Sequence, residues 1–392
     1  MNYNTISAAI DEQCFNVGSL YEQFSKLHDG RERRGKQYPL ALVLVFIVLA
    51  KLGGADTPYA MAQWVRWRLG KVARVLGWTR EKLPSHNTYR RLLRLVDEGA
   101  LQEVSNAFLQ QAEGAGDSVL IAIDGKVMRG TIPSGESQGV HLLAAYLPAE
   151  GLVLMQVAVG NKEGELTAAP RLLETLDLRH KVVRGDALFT QRHLSAQIIE
   201  AGGDYLWPVK ENQFDLLADI QEVFDPAPTA AGWSQTPRDL RSVHTTNSGH
   251  GRLERRTLTA SSFLNEYSNW PGLAQVFKLE CQVIVQRTGE IRRQTVYGVT
   301  SLTAADASPD RLLTLMRDYW GIENGLHYRR DKTLSEDAAR ISNPQQAHVL
   351  AIVNNLVVGL VKQQGFDNLA AARRFYNGNL AAAVRLVTSS HL

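Results

Sequence analysis

Two aspartates each follow a short apolar run, and this placement could support metal chemistry. Asp124 closes a run of five consecutive apolar residues, 119–123, which predicts a strand buried on both faces. Asp186 ends the similar segment 181–186. Loops that leave the carboxyl ends of such strands line the ligand crevice of open α/β sheets. Taken alone, Asp124-Gly125 is explained most simply as a plain turn that closes a strand, so the rest of the chain must decide its role.

A third carboxylate, Glu323, lies in an aromatic and basic segment that follows a helix start at Ser308-Pro309-Asp310. At about 100° per residue, one face of a continuous helix would carry Met316, Tyr319, Glu323, His327 and Arg330. Three carboxylates can hold two divalent ions, one activating an attacking oxygen and the other stabilising a leaving oxygen. Other metal-dependent phosphohydrolases also collect acids at strand ends, so the spacing alone leaves the reaction open.

The elements around these carboxylates predict a mixed α/β domain. The strand that ends at Asp124 is followed by a hairpin over 141–159, a helix, the strand that ends at Asp186, a second helix and a strand at 205–209. A three-strand meander followed by helix crossovers is the order of the ribonuclease-H-like fold. In that order the first and fourth strands lie side by side, so Asp124 and Asp186 are expected to face each other.

Shifts in composition divide the chain into four parts. Residues 1–115 are predicted to form a helical domain that binds DNA. The α/β catalytic domain is predicted over 116–209 and 272–340. Between these two pieces, residues 210–271 lose the pattern and are long for a loop, which predicts an insertion. Residues 341–392 are predicted to be C-terminal helices.

Composition and charge narrow the classes of function. The 392 residues are 44% hydrophobic and 21% charged with a net charge of +3, which is typical of a soluble globular protein and permits nucleic acid as a partner. The apolar run 40–50 is too short to span a bilayer and is interpreted as a buried helix, with an interfacial helix as the alternative. Cys14 and Cys281 have no metal-binding spacing, which argues against a zinc site and fits a reducing cytoplasm.

Basic residues are concentrated between Met61 and Leu95, where nine Lys or Arg stand against one acid, Glu81. The helix predicted over 84–94 could be the second helix of a helix-turn-helix, with Arg90 and Arg94 contacting DNA phosphates. A solvated basic face on a small helical bundle is the equal alternative.

Short motifs run in order along nearly the whole chain. They are RGKQYPL at 34–40, PSHNT at 84–88, IDGK at 123–126 with RG at 129–130, GDALFTQ at 185–191, DYL at 204–206 with KENQ at 210–213, GHGR at 249–252, YWGIEN at 319–324 with LHY at 326–328, and ED at 336–337. Together they resemble the DDE transposases of bacterial insertion sequences, in particular the ISAs-type or H-repeat-associated group.

The resemblance implies a ribonuclease-H-like catalytic domain that cleaves the ends of an insertion sequence and joins the freed 3′-hydroxyl to target DNA. It implies Asp124, Asp186 and Glu323 as the catalytic and metal-binding triad, with Mg²⁺ as cofactor and Mn²⁺ able to substitute. It also implies double-stranded DNA as partner, both terminal inverted repeats and target, bound by a homodimer at the bacterial nucleoid in the cytoplasm. Candidate phosphate contacts are Lys126, Arg129, Lys210, Arg252, Arg256, Arg329 and Arg330.

Several alternatives stay open at this point. Asp331, Glu336 and Asp337 are rivals for the third carboxylate, and each candidate phosphate contact could instead be a solvated surface charge. A domesticated DNA-binding protein and a structure-specific nuclease would share the fold. His250 and His327 could assist proton transfer, although a structural histidine is favoured. The tryptophans interpreted as core residues rather than stacking platforms are Trp207, Trp233, Trp270 and Trp320.

Overall fold

The computed structural model of the protein describes residues 18–32, 36–68, 82–112, 116, 118–136, 138–160, 164–225, 238–249 and 251–389. The chain divides into two compact units. The first unit comprises residues 1–118, 125–163 and 323–392, and the second unit comprises 119–124 and 164–322.

An all-helical start is followed by runs of strands separated by single helices, and then by C-terminal helices. The helices are α1 (Leu20–Ser25), α2 (Leu40–Leu52), α3 (Pro58–Arg68), α4 (His86–Leu93), α5 (Glu98–Leu109), α6 (Glu165–Glu174), α7 (Arg192–Glu200), α8 (Phe214–Phe224), α9 (Pro309–Asp318), α10 (Pro344–Gln363), α11 (Leu369–Gly378) and α12 (Leu380–Thr388). The strands are β1 (Leu120–Met128), β2 (Val140–Leu147), β3 (Leu152–Val159), β4 (Val182–Arg184), β5 (Asp204–Val209), β6 (Arg241–Gly249), β7 (Arg252–Ser261), β8 (Gln275–Val285) and β9 (Ile291–Thr300).

The strands form a mixed sheet in the order β3-β2-β1-β4-β5-β9-β8-β7-β6. The predicted adjacency of the first and fourth strands is confirmed, because β1 and β4 pair in parallel with Leu120 opposite Val182 and Ala122 opposite Arg184. Strand β5 is parallel to β4, and the pairs from β5 through β9, β8 and β7 to β6 are antiparallel. Strands β1 and β4 therefore run in the same direction. Strand β1 continues to Met128, so Asp124 lies within it and not at its end as predicted, whereas Asp186 follows the end of β4.

The second unit packs apolar side chains of its strands against α9. The cluster includes Leu120 of β1, Val182 of β4, Phe277 of β8, and Leu312 and Met316 of α9. Burial of these side chains on the strands and on one helix stripe is the main stabilising contribution.

The segment 210–271, predicted as an insertion, contains α8 and the strands β6 and β7, which continue the same sheet beyond β8. Strand β6 pairs along its whole length with β7, from Arg241 opposite Ala260 to Gly249 opposite Arg252. Most β6 side chains are exposed or half-buried. The second unit is thus extended by a hairpin that carries little apolar surface of its own.

In the first unit, helix α2 is buried along its whole length, as predicted from its apolar run. Even Lys51 is buried there, with its ammonium 3.4 Å from Asp56, and the Arg373 guanidinium donates to the same carboxylate at 2.9 Å. Helix α10 is buried over most of its length as well. Among the described residues, no helix combines the length and the apolar character that a bilayer span needs.

The prediction of one continuous helix through 316–330 is wrong. Helix α9 ends at Asp318, and the chain continues in π-helical turns over Ile322–His327 and Arg329–Thr333. The Leu334 N–H bonds to the Arg329 carbonyl at 3.0 Å, five residues back, which widens the turn. A wider turn rotates less per residue, so the expected face is not kept: Glu323 is exposed and Arg330 is fully buried.

Candidate active site

Asp124 lies within β1 and Asp186 lies just after β4, at equivalent positions in the register of the two strands. Each aspartate follows the last registered pair, Ala122 and Arg184, by two residues. Asp124 is half-buried, and Asp186 is exposed at the start of a short 3₁₀ turn, Ala187–Phe189. Parallel pairing therefore brings the two carboxylates to one edge of the second unit, as the order of elements predicts.

The groups around Asp186 change the pKa of its carboxyl group. Although the residue as a whole is exposed, partial desolvation of its carboxyl group raises its pKa above the usual range. The Leu188 N–H, 2.9 Å from Asp186 Oδ1, acts in the opposite direction. The negative charges of Asp124 and Glu165 raise the pKa further, while the charge of Lys210 lowers it. A bound cation would relieve this repulsion between carboxylates.

The loop that carries Asp186 is fixed by residues of two motifs. Gly185 is required because a Cβ there would lie 2.5 Å from the Phe189 ring and 3.0 Å from Ile123 Cγ1. The Asn212 amide donates to the Ala187 carbonyl at 2.8 Å, and the Gln213 amide donates to the Thr190 carbonyl at 2.9 Å. The sequence motif at 210–213 thus positions the backbone on either side of the 3₁₀ turn, a role that motif matching alone did not reveal.

Glu323 lies in the first unit, in the π-helical turn Ile322–His327, and its side chain is exposed. The turn packs closely on β2, because a Cβ at Gly325 would lie 2.9 Å from the Tyr146 hydroxyl. Burial raises the pKa of Tyr146 to about 12, so this hydroxyl stays neutral at ordinary pH. Glu323 is therefore an exposed carboxylate on a backbone segment that has close packing beneath it. π-Helical turns occur frequently at functional sites.

The three rival acids are each bound to a buried base. The Lys126 ammonium contacts Asp331 and lies 3.4 Å from Asp337. Arg330 donates to both oxygens of Glu336, with Nη2 2.8 Å from Oε1 and Nε 2.9 Å from Oε2. These acids are neutralised within the first unit.

Burial and hydrogen bonding shape the Glu336 carboxylate further. Desolvation acts to raise the pKa of Glu336, but the guanidinium of Arg330 and the Asn354 amide, 2.7 Å away, hold it below the usual range. The Arg330 Nη1 also donates to Gln156 at 3.2 Å and to Asn355 at 3.3 Å. Glu336 is thus an ionised structural acid.

Two predicted DNA contacts require correction. Arg330 has no exposed surface and donates to Glu336, Gln156 and Asn355, so its guanidinium is not available to a phosphate. Lys126 is 8% exposed and is held between Asp331 and Asp337. Burial assigns both bases a structural role, which the sequence pattern did not show.

The remaining basic candidates differ in exposure. Those exposed to solvent are Arg90, Arg94, Arg129, Lys210 and Arg252. Arg329 is half-buried and donates to the Asp367 carbonyl at 2.7 Å. Tyr89, which precedes Arg90 on α4, is fully buried. Helix α4 therefore presents an exposed arginine face without its tyrosine.

Arg184 and Arg256 are two buried arginines near Asp186. Arg184 stacks at 4.2 Å on the Tyr319 ring, and burial lowers its pKa to about 10. Arg256 was predicted as a phosphate contact, but Arg184 was not identified from the sequence. The sequence does contain a signal for Arg184, because a strand buried on both faces normally carries no charged residue, yet an arginine stands within the segment 182–186.

The aromatic and histidine predictions have mixed outcomes. Trp207 and Trp270 are buried as expected, whereas Trp320 is 50% exposed. Trp233 and His250 lie outside the described residues. Trp320 therefore does not serve as a core residue, and its position beside Arg256, at 5.9 Å from the guanidinium, becomes relevant to ligand binding.

The donor set at the β1–β4 edge fits a divalent metal of the Mg²⁺ type. Carboxylate oxygens are the ligands that Mg²⁺ prefers, and one or two protein carboxylates per ion are common. Among the described residues, no group of three His, Cys, Asp or Glu side chains has the spacing of a formed metal site. Asp124 and Asp186 thus supply a pair of hard ligands at one edge.

Comparisons with known proteins agree with the motifs. A family model described as "Transposase DDE domain" matches residues 115–360, and a model described as "DDE_Tnp_1-associated" matches residues 21–109. With the mixed sheet described above, this match confirms the ribonuclease-H-like α/β fold class.

Named relatives cover most of the chain. A protein named "Putative transposase YncI" from Escherichia coli O157:H7 is 27% identical, over 88% of this chain and 88% of its own length. "H repeat-associated putative transposase YhhI" from Escherichia coli strain K12 is 24% identical, over 87% of this chain and 90% of its own. A cryo-EM structure of the piggyBac transposase synaptic complex with hairpin DNA matches with a TM-score of 0.44 and 9% identity, over 97% of this chain and 81% of that one.

Proposed function

The chain belongs to the DDE transposase family, and from this premise we propose that it cleaves the ends of an insertion sequence and joins the freed 3′-hydroxyl to target DNA. The observation that carries this proposal is the placement of Asp124 and Asp186, each two residues beyond the last parallel pair of the neighbouring strands β1 and β4. An arrangement of carboxylates at one sheet edge is what metal-dependent phosphoryl transfer requires.

Asp124, Asp186 and Glu323 are the proposed metal ligands. When bound, the divalent ions supply activation of the attacking oxygen and stabilisation of the leaving oxygen, with Mg²⁺ as the proposed cofactor and Mn²⁺ as a substitute. The choice of Glu323 over its rivals is supported by charge pairing. Each rival acid pairs with a buried base: Lys126 pairs with Asp331 and Asp337, and Arg330 pairs with Glu336. Glu323 is instead exposed on a π-helical turn.

The proposed DNA partners are the terminal inverted repeats of the element and the target duplex, bound by a homodimer in the cytoplasm at the nucleoid. Exposed arginines and lysines neutralise backbone charge and position the strand without reading its sequence. The bases proposed for this role are Arg90, Arg94, Arg129, Lys210, Arg252 and, in part, Arg329.

The test is a cleavage and joining assay with purified protein, Mg²⁺ or Mn²⁺, and duplex DNA carrying the repeat that flanks the gene. Wild-type protein is expected to nick and join the repeat, and Asp124→Asn is expected to lose both products while still binding the DNA. Asp215→Asn is the matched control, because Asp215 is an exposed acid on α8. Unchanged joining in Asp124→Asn would refute the proposed triad.

The same assay separates the two alternative functions. Cleavage without joining by the wild-type protein would indicate a structure-specific nuclease. Binding of the repeat with no product under any divalent ion would indicate a DNA-binding protein that no longer transposes. Either result would overturn the proposed function.

A further inference from the structure

A cavity of about 170 Å³ lies beside Asp186, within the second unit. Four basic side chains line it: Arg184, Lys210, Arg256 and Arg317. Among the described residues that form its wall, Asp186 is the only acid. The cavity is therefore strongly cationic at the edge where the two candidate metal ligands lie.

Arg184 is the most unusual of these bases. It is 5% exposed, and its Nε and Nη1 atoms are buried without a hydrogen-bond partner in the described part of the chain. Its guanidinium stacks at 4.2 Å on the ring of Tyr319, another residue of the cavity wall. Stacking fixes the plane of the guanidinium but satisfies none of its N–H donors.

Arg256 reaches the same cavity from β7. It is 7% exposed, and its Nη2 donates to Glu254, while its Nη1 is buried and has no hydrogen-bond partner among the residues that the structure describes. Its guanidinium lies 5.9 Å from the Trp320 ring, which is half exposed at the cavity wall. Two buried arginines thus share one cavity and both keep unused N–H donors.

A buried N–H donor without a hydrogen-bond partner destabilises the folded state, and a buried cation without a counter-ion destabilises it more. An anion with several acceptor oxygens would satisfy both arginines at once, because the guanidinium fork matches the oxygen spacing of a phosphate. We propose that this cavity binds one phosphate group of the DNA strand that the protein processes. The assignment to DNA rests on the proposed function, whereas the phosphate site rests on the cavity itself.

The size and position of the cavity favour a single phosphate of a strand. Its volume leaves room for one phosphate group rather than for a base pair. Its wall includes Asp186, so a phosphate bound there would fix the strand next to the proposed metal ligands. Arg184 and Arg256 would then act as positioning residues that hold the strand while the carboxylates carry the chemistry.

The first experiment measures Tm of the full chain with EDTA, in sodium phosphate and in sodium chloride at matched pH and ionic strength. Phosphate is expected to raise the wild-type Tm, because a ligand that binds only the folded state stabilises it. Arg184→Met is expected to lose the phosphate-dependent rise. In sodium chloride its Tm should be equal to or above that of the wild type, since the variant removes an unpaired buried charge.

The matched control is Arg192→Gln. Arg192 also lies over an aromatic ring, 5.6 Å from Trp270, but it is exposed and does not line the cavity. Its phosphate-dependent rise should equal that of the wild type. Arg256→Gln provides a second test that does not depend on the folding of Arg184→Met, and it should also lose the rise.

The second experiment measures binding of the element-end duplex over a range of salt concentrations. The loss of one phosphate contact makes the negative slope of log K against log salt less steep by about 0.9. Arg184→Met is expected to show this smaller slope, and Arg192→Gln the wild-type slope.

The outcomes separate the parts of the proposal. A phosphate-dependent rise of equal size in Arg184→Met, or no rise in the wild type, would overturn the phosphate site. A rise that depends on Arg184, with an unchanged salt slope, would overturn the DNA assignment in favour of free phosphate. Failure of the wild-type protein to cleave or join DNA would refute the proposed function without affecting the Tm result.

Discussion

Asp186 keeps its position because side chains from elsewhere in the sequence hold the loop that carries it. Asn212 and Gln213 bond to backbone carbonyls of residues 187 and 190, and Gly185 allows the Phe189 ring to approach the backbone. A carboxylate that must hold a metal ion needs this kind of support, because small displacements of a ligand weaken metal binding. The residues around Asp186 are therefore as important to the site as the carboxylate.

Gly185→Ala tests this support. The added Cβ would lie 2.5 Å from Phe189 Cδ2, so the ring or the loop must move, at a cost of about 1 to 3 kcal/mol. We expect a lower rate of DNA joining with DNA affinity retained, measured by product formation and by anisotropy. Gly164→Ala is the control, because a Cβ there meets no atom of the described residues within 4 Å. Equal joining rates in the two variants would show that the loop tolerates the displacement.

Lys126 and Arg129 lie three residues apart but differ in burial, which predicts different effects on DNA binding. Lys126→Met removes a buried cation that pairs with Asp331 and Asp337, so we expect the free energy of unfolding to fall by about 1.5 to 3 kcal/mol. The salt slope of DNA binding should not change. Arg129→Met, at a side chain that is 80% exposed, should instead make the negative slope less steep by about 0.9 with little effect on stability. The reverse pattern would restore Lys126 as a DNA contact.

At the scale of elements, the sequence predicts those strands that have a local apolar pattern. The apolar runs before Asp124 and Asp186 identified β1 and β4, and the order of elements identified their pairing. Strand β6 was missed because its side chains are mostly polar at the edge of the sheet, which removes the apolar signal.

The π-helical turns could not be predicted because they depend on long-range contacts. Arg330 is buried through bonds to Glu336, and also to Gln156 on β3 and Asn355 on α10, residues that are distant in sequence. A periodicity of 3.6 residues predicts that Arg330 lies on the same helix face as Glu323. That periodicity depends only on neighbouring residues, so it cannot include these distant partners. Tertiary hydrogen bonds, rather than local helix propensity, therefore account for the burial of Arg330.

The buried pair of Arg330 and Glu336 makes a prediction for stability. Glu336→Gln leaves a buried guanidinium without its counter-ion, which is expected to lower the free energy of unfolding by about 3 to 5 kcal/mol at neutral pH. Because the folded-state pKa of Glu336 is lowered, the stabilisation is complete above the unfolded value of about 4.3 and is lost as pH falls toward the folded value. Denaturant titrations at neutral and acidic pH measure this difference.

The matched control for this pair is Glu290→Gln. Glu290 pairs with Arg292 on the surface, where solvent screens the interaction, so its loss should have little effect at either pH. A destabilisation of Glu336→Gln that persists unchanged at acidic pH would contradict the role given to its ionised carboxylate.

At the scale of the whole molecule, the net charge of +3 does not show that buried and exposed bases have different roles. Lys126 and Arg330, which hold the rival acids, are buried, whereas Arg90 on α4 and Arg129 after β1 are exposed. The transposase family model spans all three proposed ligands, Asp124, Asp186 and Glu323. The central claim is therefore that these three acids act as one catalytic set, although they come from distant parts of the sequence.

Glu323 is the member of this set that the motifs and the charge pairing of its rivals select, so its substitution tests the claim most directly. The measurement is the initial rate of joining of element-end DNA with Mg²⁺ by Glu323→Gln and by the control Asp215→Asn, at protein concentrations that saturate the DNA. We predict that Glu323→Gln binds the DNA normally and that its rate falls by about 100-fold or more, while the control keeps the wild-type rate. A wild-type rate of joining in Glu323→Gln would contradict the proposed triad.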